Sequence, residues 1–384
     1  MASFLIFLVI VLGIAAIVQV IRVFEISNFL QGEDGISVSP RETNSLRISL
    51  VLFVAGFFAF FIYLWVAYKQ YFLPESASEH GAAIDTLLNF NFLIITIVFV
   101  ITHILLAYFS YRYANTVSPK ATFVTHNNKL ELIWTSAPAV VLAIIIIYGL
   151  TTWNSAMLDT PDDSINIELY ARQFDWTARY AGEDNVLGKS NYLMISATNP
   201  LGIINETKLK ERLSEMDAEA AELEASRAEV YPGGKTDMEI LDKIALKKKQ
   251  KGRLEQMYAQ GENEDYSVAD DDILTKVEFH IPVGKPVNFQ IRSQDVIHSA
   301  FMPHFRAQMN AVPGMITNFY FTPIITTDEM RKKVGDPNFN YLLLCNKICG
   351  TAHYNMQMNI IVESEADYQK WLSEQKKFFV AGTN

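Results

Sequence analysis

The chain has 384 residues, half of them hydrophobic, yet it carries 42 acidic against 32 basic side chains, a formal charge of −10. The two properties coexist because the residue types are segregated. Residues 1–154 hold seven Lys/Arg and eight Asp/Glu, a balance of −1, so 155–384 carries −9. An apolar membrane portion joined to an acidic soluble portion excludes a nucleic-acid binder and favours a basic partner.

Four stretches, 4–21, 50–68, 92–108 and 133–150, are long and apolar enough to span a bilayer, which takes about 20 residues. The first has no basic residue ahead of its apolar run and is long for a signal core, so it is expected to remain as a helix. Arg22, Arg41 and Arg47 lie in the first loop, Lys69 alone in the second, and Arg112, Lys120 and Lys129 in the third. Positive residues favour the cytoplasmic side. Both termini and the soluble part are therefore expected outside, on the periplasmic face of a multi-pass protein of the inner cell membrane. His103, inside the third span, reads as a neutral imidazole hydrogen-bonded to a neighbouring helix, since charge is costly there. Glu131 sits at the mouth of the last span, where a helix N-terminus favours a carboxylate. Pro138 is expected to kink that helix or adjust its packing.

Beyond the spans, short alternating segments at 165–170, 192–197, 276–281, 286–292, 316–322, 340–344 and 356–362 predict an all-β sandwich or barrel. Between them, residues 206–260 are rich in Glu, Ala, Lys, Leu and Met and are broken by Tyr231-Pro232-Gly233-Gly234, a turn signal. Thr236-Asp237-Met238-Glu239 reads as a capping box opening a second helix. Ile240, Ile244, Leu246, Leu254 and Met257 give it a partial apolar stripe. The pattern predicts an inserted antiparallel helical hairpin, either a solvated spacer or a docking element. Residues 366–379 predict a closing amphipathic helix. The expected organisation is an N-terminal helical pair at 1–75, a transmembrane hairpin at 76–154, and an extracytoplasmic β domain at 155–384 with the insertion at 206–260.

Cys345 and Cys349, the only cysteines, lie in Cys345-Asn346-Lys347-Ile348-Cys349-Gly350-Thr351-Ala352-His353-Tyr354-Asn355-Met356. Two thiols, an imidazole and a thioether within a dozen residues form a soft donor set that points to copper. Three other readings compete: a disulfide, which an extracytoplasmic site permits; structural zinc, for which Met is a poor ligand; and a pair of inert buried thiols. A second segment, Asp295-Val296-Ile297-His298-Ser299, follows the alternating strand Val287-Asn288-Phe289-Gln290-Ile291. An imidazole at the end of a rigid strand can meet a loop distant in sequence, as in a cupredoxin-type site. His304 is the rival upstream ligand, and His280, within a strand pattern, reads as structural.

These segments, with Pro282-Val283-Gly284-Lys285-Pro286-Val287, Pro303, Val312-Pro313-Gly314 and Trp134-Thr135-Ser136-Ala137-Pro138, resemble cytochrome c oxidase subunit II over roughly residues 89–200 and 270–380. The resemblance implies a cupredoxin-like domain with a binuclear copper centre, CuA. It assigns as ligands His298, Cys345, Cys349, His353, Met356 and the main-chain carbonyl of Lys347. It also implies that Trp176 or Phe174 receives electrons, within Phe174-Asp175-Trp176 where the family has Trp-Tyr-Trp, and that Glu131 lies at the entrance of a proton path. Lys347 stands where the family has a Glu that helps bind magnesium at the subunit boundary, and a lysine does not ligate magnesium. Ala300 replaces an aromatic, and Asn310 a residue that is often acidic. The family has only the last two helices, so the pair before residue 75 is an addition.

The implied activity is that of an electron-input subunit of a respiratory heme–copper oxidase. Cytochrome c, or a c-type heme domain, reduces the copper centre. Heme in the catalytic subunit I receives the electron, and that subunit reduces dioxygen to water and pumps protons. The expected partners are that subunit, other oxidase subunits and membrane lipid, with no nucleic acid. No Cys-x-x-Cys-His heme motif occurs, so the hemes are expected elsewhere. Two alternatives are a quinol oxidase subunit, against which the retained ligands argue, and a membrane-anchored copper-delivery protein.

Overall fold

The computed structural model describes residues 12–23, 26–27, 40–113, 124–157, 160–261 and 265–379. Its contacts divide the chain into two units, residues 1–70 with 93–131, and residues 71–92 with 132–384. Among the described residues, three helices are long and apolar enough to cross a membrane: α1 (Pro40–Tyr68), α2 (Glu79–Arg112) and α3 (Asn128–Met157). Three of the four expected spans thus lie among the described residues. The first, at 4–21, falls largely outside the described residues, and the part that is described belongs to a shorter apolar helix, Leu12–Val23. Within the first unit, His103 packs among Phe57, Phe58 and Phe99. Its Nδ1 lies 2.7 Å from the Phe99 carbonyl, one turn back on its own helix, rather than on a neighbour. Pro138 lies inside α3.

The second unit contains two five-stranded sheets. One is ordered β3 (Ile273–Thr275), β2 (Asp175–Tyr180), β1 (Ile165–Arg172), β5 (Val287–Ser293), β8 (Thr317–Phe321). The other is ordered β4 (Glu278–Pro282), β10 (Gln357–Glu363), β9 (Tyr341–Cys345), β6 (His298–Met302), β7 (Ala307–Ala311). β1 runs parallel to β5 and β4 parallel to β10, and the other pairings are antiparallel. Alternation supplies the core: Val287, Phe289 and Ile291 point inward from β5, while the residues between them are half-buried. Phe289, Phe305 and Phe321 stack at 4.5–5.2 Å between centroids, an arrangement that adds to simple area burial.

Residues 192–197 form no strand. Tyr192–Met194 is a turn of 3₁₀ helix capped by Asn191, whose side chain accepts from the Leu193 amide at 2.9 Å. Asn199 likewise bonds both the amide and the carbonyl of Ile203. Local side-chain bonds of this kind satisfy the backbone without a partner strand. Strands β2, β3, β6 and β7 add to those read from the pattern.

The insertion is a helical hairpin, α4 (Glu206–Arg227) and α5 (Lys235–Gln260). Asn205 caps α4 through the Lys208 amide. No capping box opens α5. Its N-cap is Gly234, and Asp237 instead accepts from the Gly233 amide at 2.8 Å and pairs with Arg227 at 2.6 Å, tying the turn across both helices. Of the expected stripe, Ile244 and Leu254 are buried and Leu246 is exposed. Leu254 joins Leu193, Met194, Ile204, Leu209 and Met216 in a small core of its own. Between β8 and β9, α6 (Thr327–Val334) carries a true capping box, Thr326 with Glu329, and α7 (Glu365–Glu374) ends five residues short of the expected 379.

A polar cluster joins these parts. Asp270 accepts from Asn205 Nδ2 at 2.7 Å, Asp271 from the Glu183 amide at 2.6 Å, and Asp272 faces Arg179 at 3.6 Å. Arg179 and Glu168, both almost wholly buried, pair at 2.9 Å, and Arg292 also pairs with Glu168. Burial, opposed by Arg179, pushes the Asp272 carboxyl up to about 7. The folded state therefore holds this proton more tightly than the unfolded chain, whose carboxylates titrate near about 4. The group's contribution to stability is full below about pH 4 and is lost as pH rises through about 7. Denaturant unfolding of the full-length protein, followed by tryptophan fluorescence across that window, should show this decline in the wild type. The Asp272→Asn variant should lack that part of the slope.

Candidate metal centre

The centre is built where β6 and β9 lie side by side, with Ala300 opposite Cys345. β9 ends at Cys345, and the loop to β10 doubles back so that the Cys345 amide donates to the Met356 carbonyl at 3.0 Å. The Asn346 amide donates to the Ser299 carbonyl at 3.1 Å, fastening the loop to β6 beside His298. Every residue of the expected ligand set converges here. Cys345 Sγ lies 3.8 Å from His298 Nδ1, 3.8 Å from Cys349 Sγ and 3.3 Å from the Lys347 carbonyl oxygen. Cys349 Sγ lies 3.6 Å from His353 Nδ1 and 3.9 Å from Met356 Sδ. The donor atoms of His298, Cys345 and Cys349 all fall within 4.8 Å of one another.

The two sulfurs are too far apart for a disulfide, whose bond is about 2.05 Å, and both thiols are free and buried. Burial, then the neighbouring Cys345, pushes the Cys349 thiol up to about 11. Ionising two thiols this close together would call for a cation, and two thiols, two imidazoles, a thioether and a carbonyl suit copper better than zinc or magnesium. The residues present fit that metal.

Several supporting residues were not apparent in the sequence. Asp295 Oδ1 lies 2.8 Å from His298 Nε2, which leaves Nδ1 facing the sulfurs. Burial of Asp295 is outweighed by hydrogen bonds from His298 and from the Gln173 and Val296 amides, which hold the carboxyl below its usual range. Gln173 Nε2 donates to the Cys349 carbonyl. Gly350 adopts φ 141°, and a Cβ there would come within 2.8 Å of two Phe174 ring carbons. The one signal available for Asp295 was its place three residues before a histidine at a strand end.

The other sequence candidates lie apart or in different roles. Trp176 is fully buried, its ring 6.3 Å from that of His298 and edge-on, so it cannot itself touch a docked protein. Phe174 is half-buried. Ile348 and Tyr354, inside the ligand loop, are 88 % and 87 % exposed. His304 is held between Phe339 and Tyr341, and burial, then the Arg306 charge, lowers it to about 4. His280 stacks on Trp371 at 4.1 Å and bonds Glu363 at 2.7 Å. Glu131 belongs to the first unit, where it accepts from the Asn127 amide at 3.1 Å and lies 3.1 Å from His126.

Comparison with known proteins bears on this geometry. Residues 66–152 match the family described as cytochrome c oxidase subunit II, transmembrane domain, and 262–365 match its periplasmic domain. Neither match includes the helical hairpin. An alternative cytochrome c oxidase subunit 2 of Bradyrhizobium diazoefficiens is 28 % identical over 77 % of this chain and 81 % of that protein. A cytochrome c oxidase subunit 2 of Thermostichus vulcanus is 23 % identical over 84 % of each. The solved periplasmic domain of cytochrome oxidase subunit II from Bradyrhizobium japonicum is 17 % identical, covering 58 % of this chain and all of that one, with a TM-score of 0.29.

Because Asp295 fixes the orientation of His298, Asp295→Ala should weaken copper binding by about 10–100-fold. Competition titration with a copper chelator measures this directly, and an unchanged affinity would show that His298 needs no such support.

Proposed function

We propose that this chain, which belongs to the cytochrome c oxidase subunit II family, is the electron-input subunit of a respiratory terminal oxidase. It is a subunit of cytochrome c oxidase and a membrane protein with a periplasmic domain, and its partners include the other oxidase subunits. In our reading it takes single electrons from cytochrome c, or from a c-type heme domain, and delivers them to heme in the catalytic subunit. That subunit reduces dioxygen to water and pumps protons. The observation that carries this reading is the convergence of six donors from β6, β9 and their loops at separations of 3.3–3.9 Å.

His298, Cys345, Cys349, His353, Met356 and the Lys347 carbonyl would hold a binuclear copper centre. When bound, such a pair supplies a one-electron centre whose charge is shared by two metals and two sulfurs, so little rearranges on transfer. The protein's part is to hold the donors still and dry. Asp295 aims His298, Gln173 braces the Cys349 carbonyl, and Trp176 and Met356 seal the interior side. Phe174, packed beside Gly350, leads inward from the surface, with Trp176 behind it against His298. Ile348 and Tyr354 offer the donor protein an apolar landing at the ligand loop, while the net negative charge of the domain steers a basic partner.

In the same reading the basic loops face the cytoplasm of the inner cell membrane and the β domain faces the periplasm. The exposed apolar faces of α1, α2 and α3 meet lipid and neighbouring subunits. Glu131 marks the entrance of a proton path. The Lys347 side chain contributes nothing to magnesium binding, and the reading assigns none there.

The purified oxidase tests this. It should contain two coppers per copy of the chain and show the hyperfine pattern of an unpaired electron shared by two copper nuclei. Cys349→Ser should abolish that pattern and cytochrome c oxidation while the β domain keeps its unfolding transition. Normal turnover in that variant would end the proposal.

A further inference from the structure

Arg306 occupies a left-handed backbone position, φ 53°, which a side chain other than glycine rarely adopts. Its side chain is 7 % exposed, and four hydrogen bonds engage its guanidinium. Nε and Nη2 grip the two carboxylate oxygens of Asp85 at 2.8 and 2.9 Å, Nη1 donates to the Pro303 carbonyl at 2.6 Å, and Nη2 also donates to the Pro74 carbonyl at 2.5 Å. Asp85 lies in the second turn of α2, and Pro74 lies in the segment leading into it. Arg306 lies in the turn between β6 and β7, in the same hairpin as His298, which pairs with Ala311 at its far end. The junction is reinforced on both sides. The Ala77 amide donates to the His304 carbonyl at 2.7 Å, Ser78 Oγ to the Phe305 carbonyl at 2.6 Å, and the Glu79 amide to the Thr322 carbonyl at 3.0 Å. A bidentate arginine–carboxylate pair is the most directional ion pair available to a protein. Backbone strain of this kind persists where the surroundings over-determine it, and it marks functional positions.

We propose that Arg306 is a positioning residue for electron delivery: by clamping Asp85 and Pro74 to the β6–β7 turn, it fixes the His298-bearing hairpin relative to the outer end of α2. The inference rests on the electron-input reading. Tunnelling falls exponentially with distance, so a loosened hairpin slows transfer to the heme without altering the ligands. Reception of the electron, which depends on the ligand loop and its exposed rim, does not pass through the clamp.

The variant of choice is Arg306→Gly, because glycine suits the left-handed backbone and removes only the guanidinium. Asp85→Asn breaks the same pair from the other side, and Arg306→Lys keeps the charge without the fork. In the purified complex, single-electron photoinjection separates reduction of the copper centre from its reoxidation by heme. Arg306→Gly and Asp85→Asn should leave the copper spectrum and the KM for cytochrome c unchanged and slow reoxidation by about tenfold or more, and Arg306→Lys should fall between. In the copper-depleted complex, the Ala77 and Glu79 amides should exchange hydrogen at least about tenfold faster in Arg306→Gly than in the wild type. Wild-type reoxidation rates in Arg306→Gly, or unchanged exchange at those amides, would overturn the clamp. Failure of the wild-type complex to show a copper reduction phase would instead overturn the electron-input reading.

Discussion

Two cysteine sulfurs held 3.8 Å apart impose the main constraint on this fold. They are too distant to bond each other and too close to ionise side by side without a cation. Holding them there requires the loop after β9 to close on itself and β6 to lie against β9. The Cys345 amide bond to the Met356 carbonyl does the first, and the Asn346 amide bond to the Ser299 carbonyl does the second. Both are main-chain bonds, so the spacing does not depend on a flexible side chain. The aromatic stack of Phe289, Phe305 and Phe321 stiffens the domain to which these strands belong.

The proposed donors are legible because four of the candidate side chains fall within a dozen residues and His298 follows a strand segment with clear alternation. Their supports were not legible. Gln173 reaches the Cys349 carbonyl from 176 residues away, and its amide meets Asp295 across 122 residues. No local pattern encodes such pairings. Strand β2 is hidden in the sequence because its buried positions include Thr177 and Arg179, polar residues that mask the alternation. The segment 192–197 looked like a strand because its residues are apolar at the right spacing, but Asn191 and Asn199 offered its backbone nearer partners. Thr236 to Glu239 had the composition of a capping box, yet Asp237 gained more from Arg227 and the Gly233 amide.

The helical hairpin lies outside both family matches, and its attachment explains how the domain accommodates it. Asp270, Asp271 and Asp272 are consecutive, and each ties down a different element: the cap of α4, the loop after β2, and Arg179 on β2. Glu168, Arg179 and Arg292 belong to the first sheet, whereas His298 and Cys345 belong to the second. The insertion therefore loads the sheet that does not carry His298 and Cys345. Its charge is largely neutralised between its own helices, as in Lys251 with Asp217 at 2.7 Å, so it adds length without demanding a polar partner from the half that carries His298 and Cys345.

Position 347 shows how a site can tolerate a change that looks disruptive in sequence. In the proposed copper centre the donor at this position would be a main-chain carbonyl, which is independent of the side chain above it. The Lys347 carbonyl approaches Cys345 Sγ at 3.3 Å while the residue itself is exposed. The side chain can then be selected for the surface alone. Next to it stands Ile348, almost wholly exposed, and Tyr354 occupies the corresponding place beside His353. A lysine and two apolar side chains at the mouth of the centre make contact there depend on shape and desolvation, while the −9 carried by residues 155–384 acts at longer range. Long-range charge sets the rate of encounter and is screened by salt, whereas apolar contact is not. Under the proposed electron-input role, this division of labour would separate attraction of a donor from its final seating beside the centre.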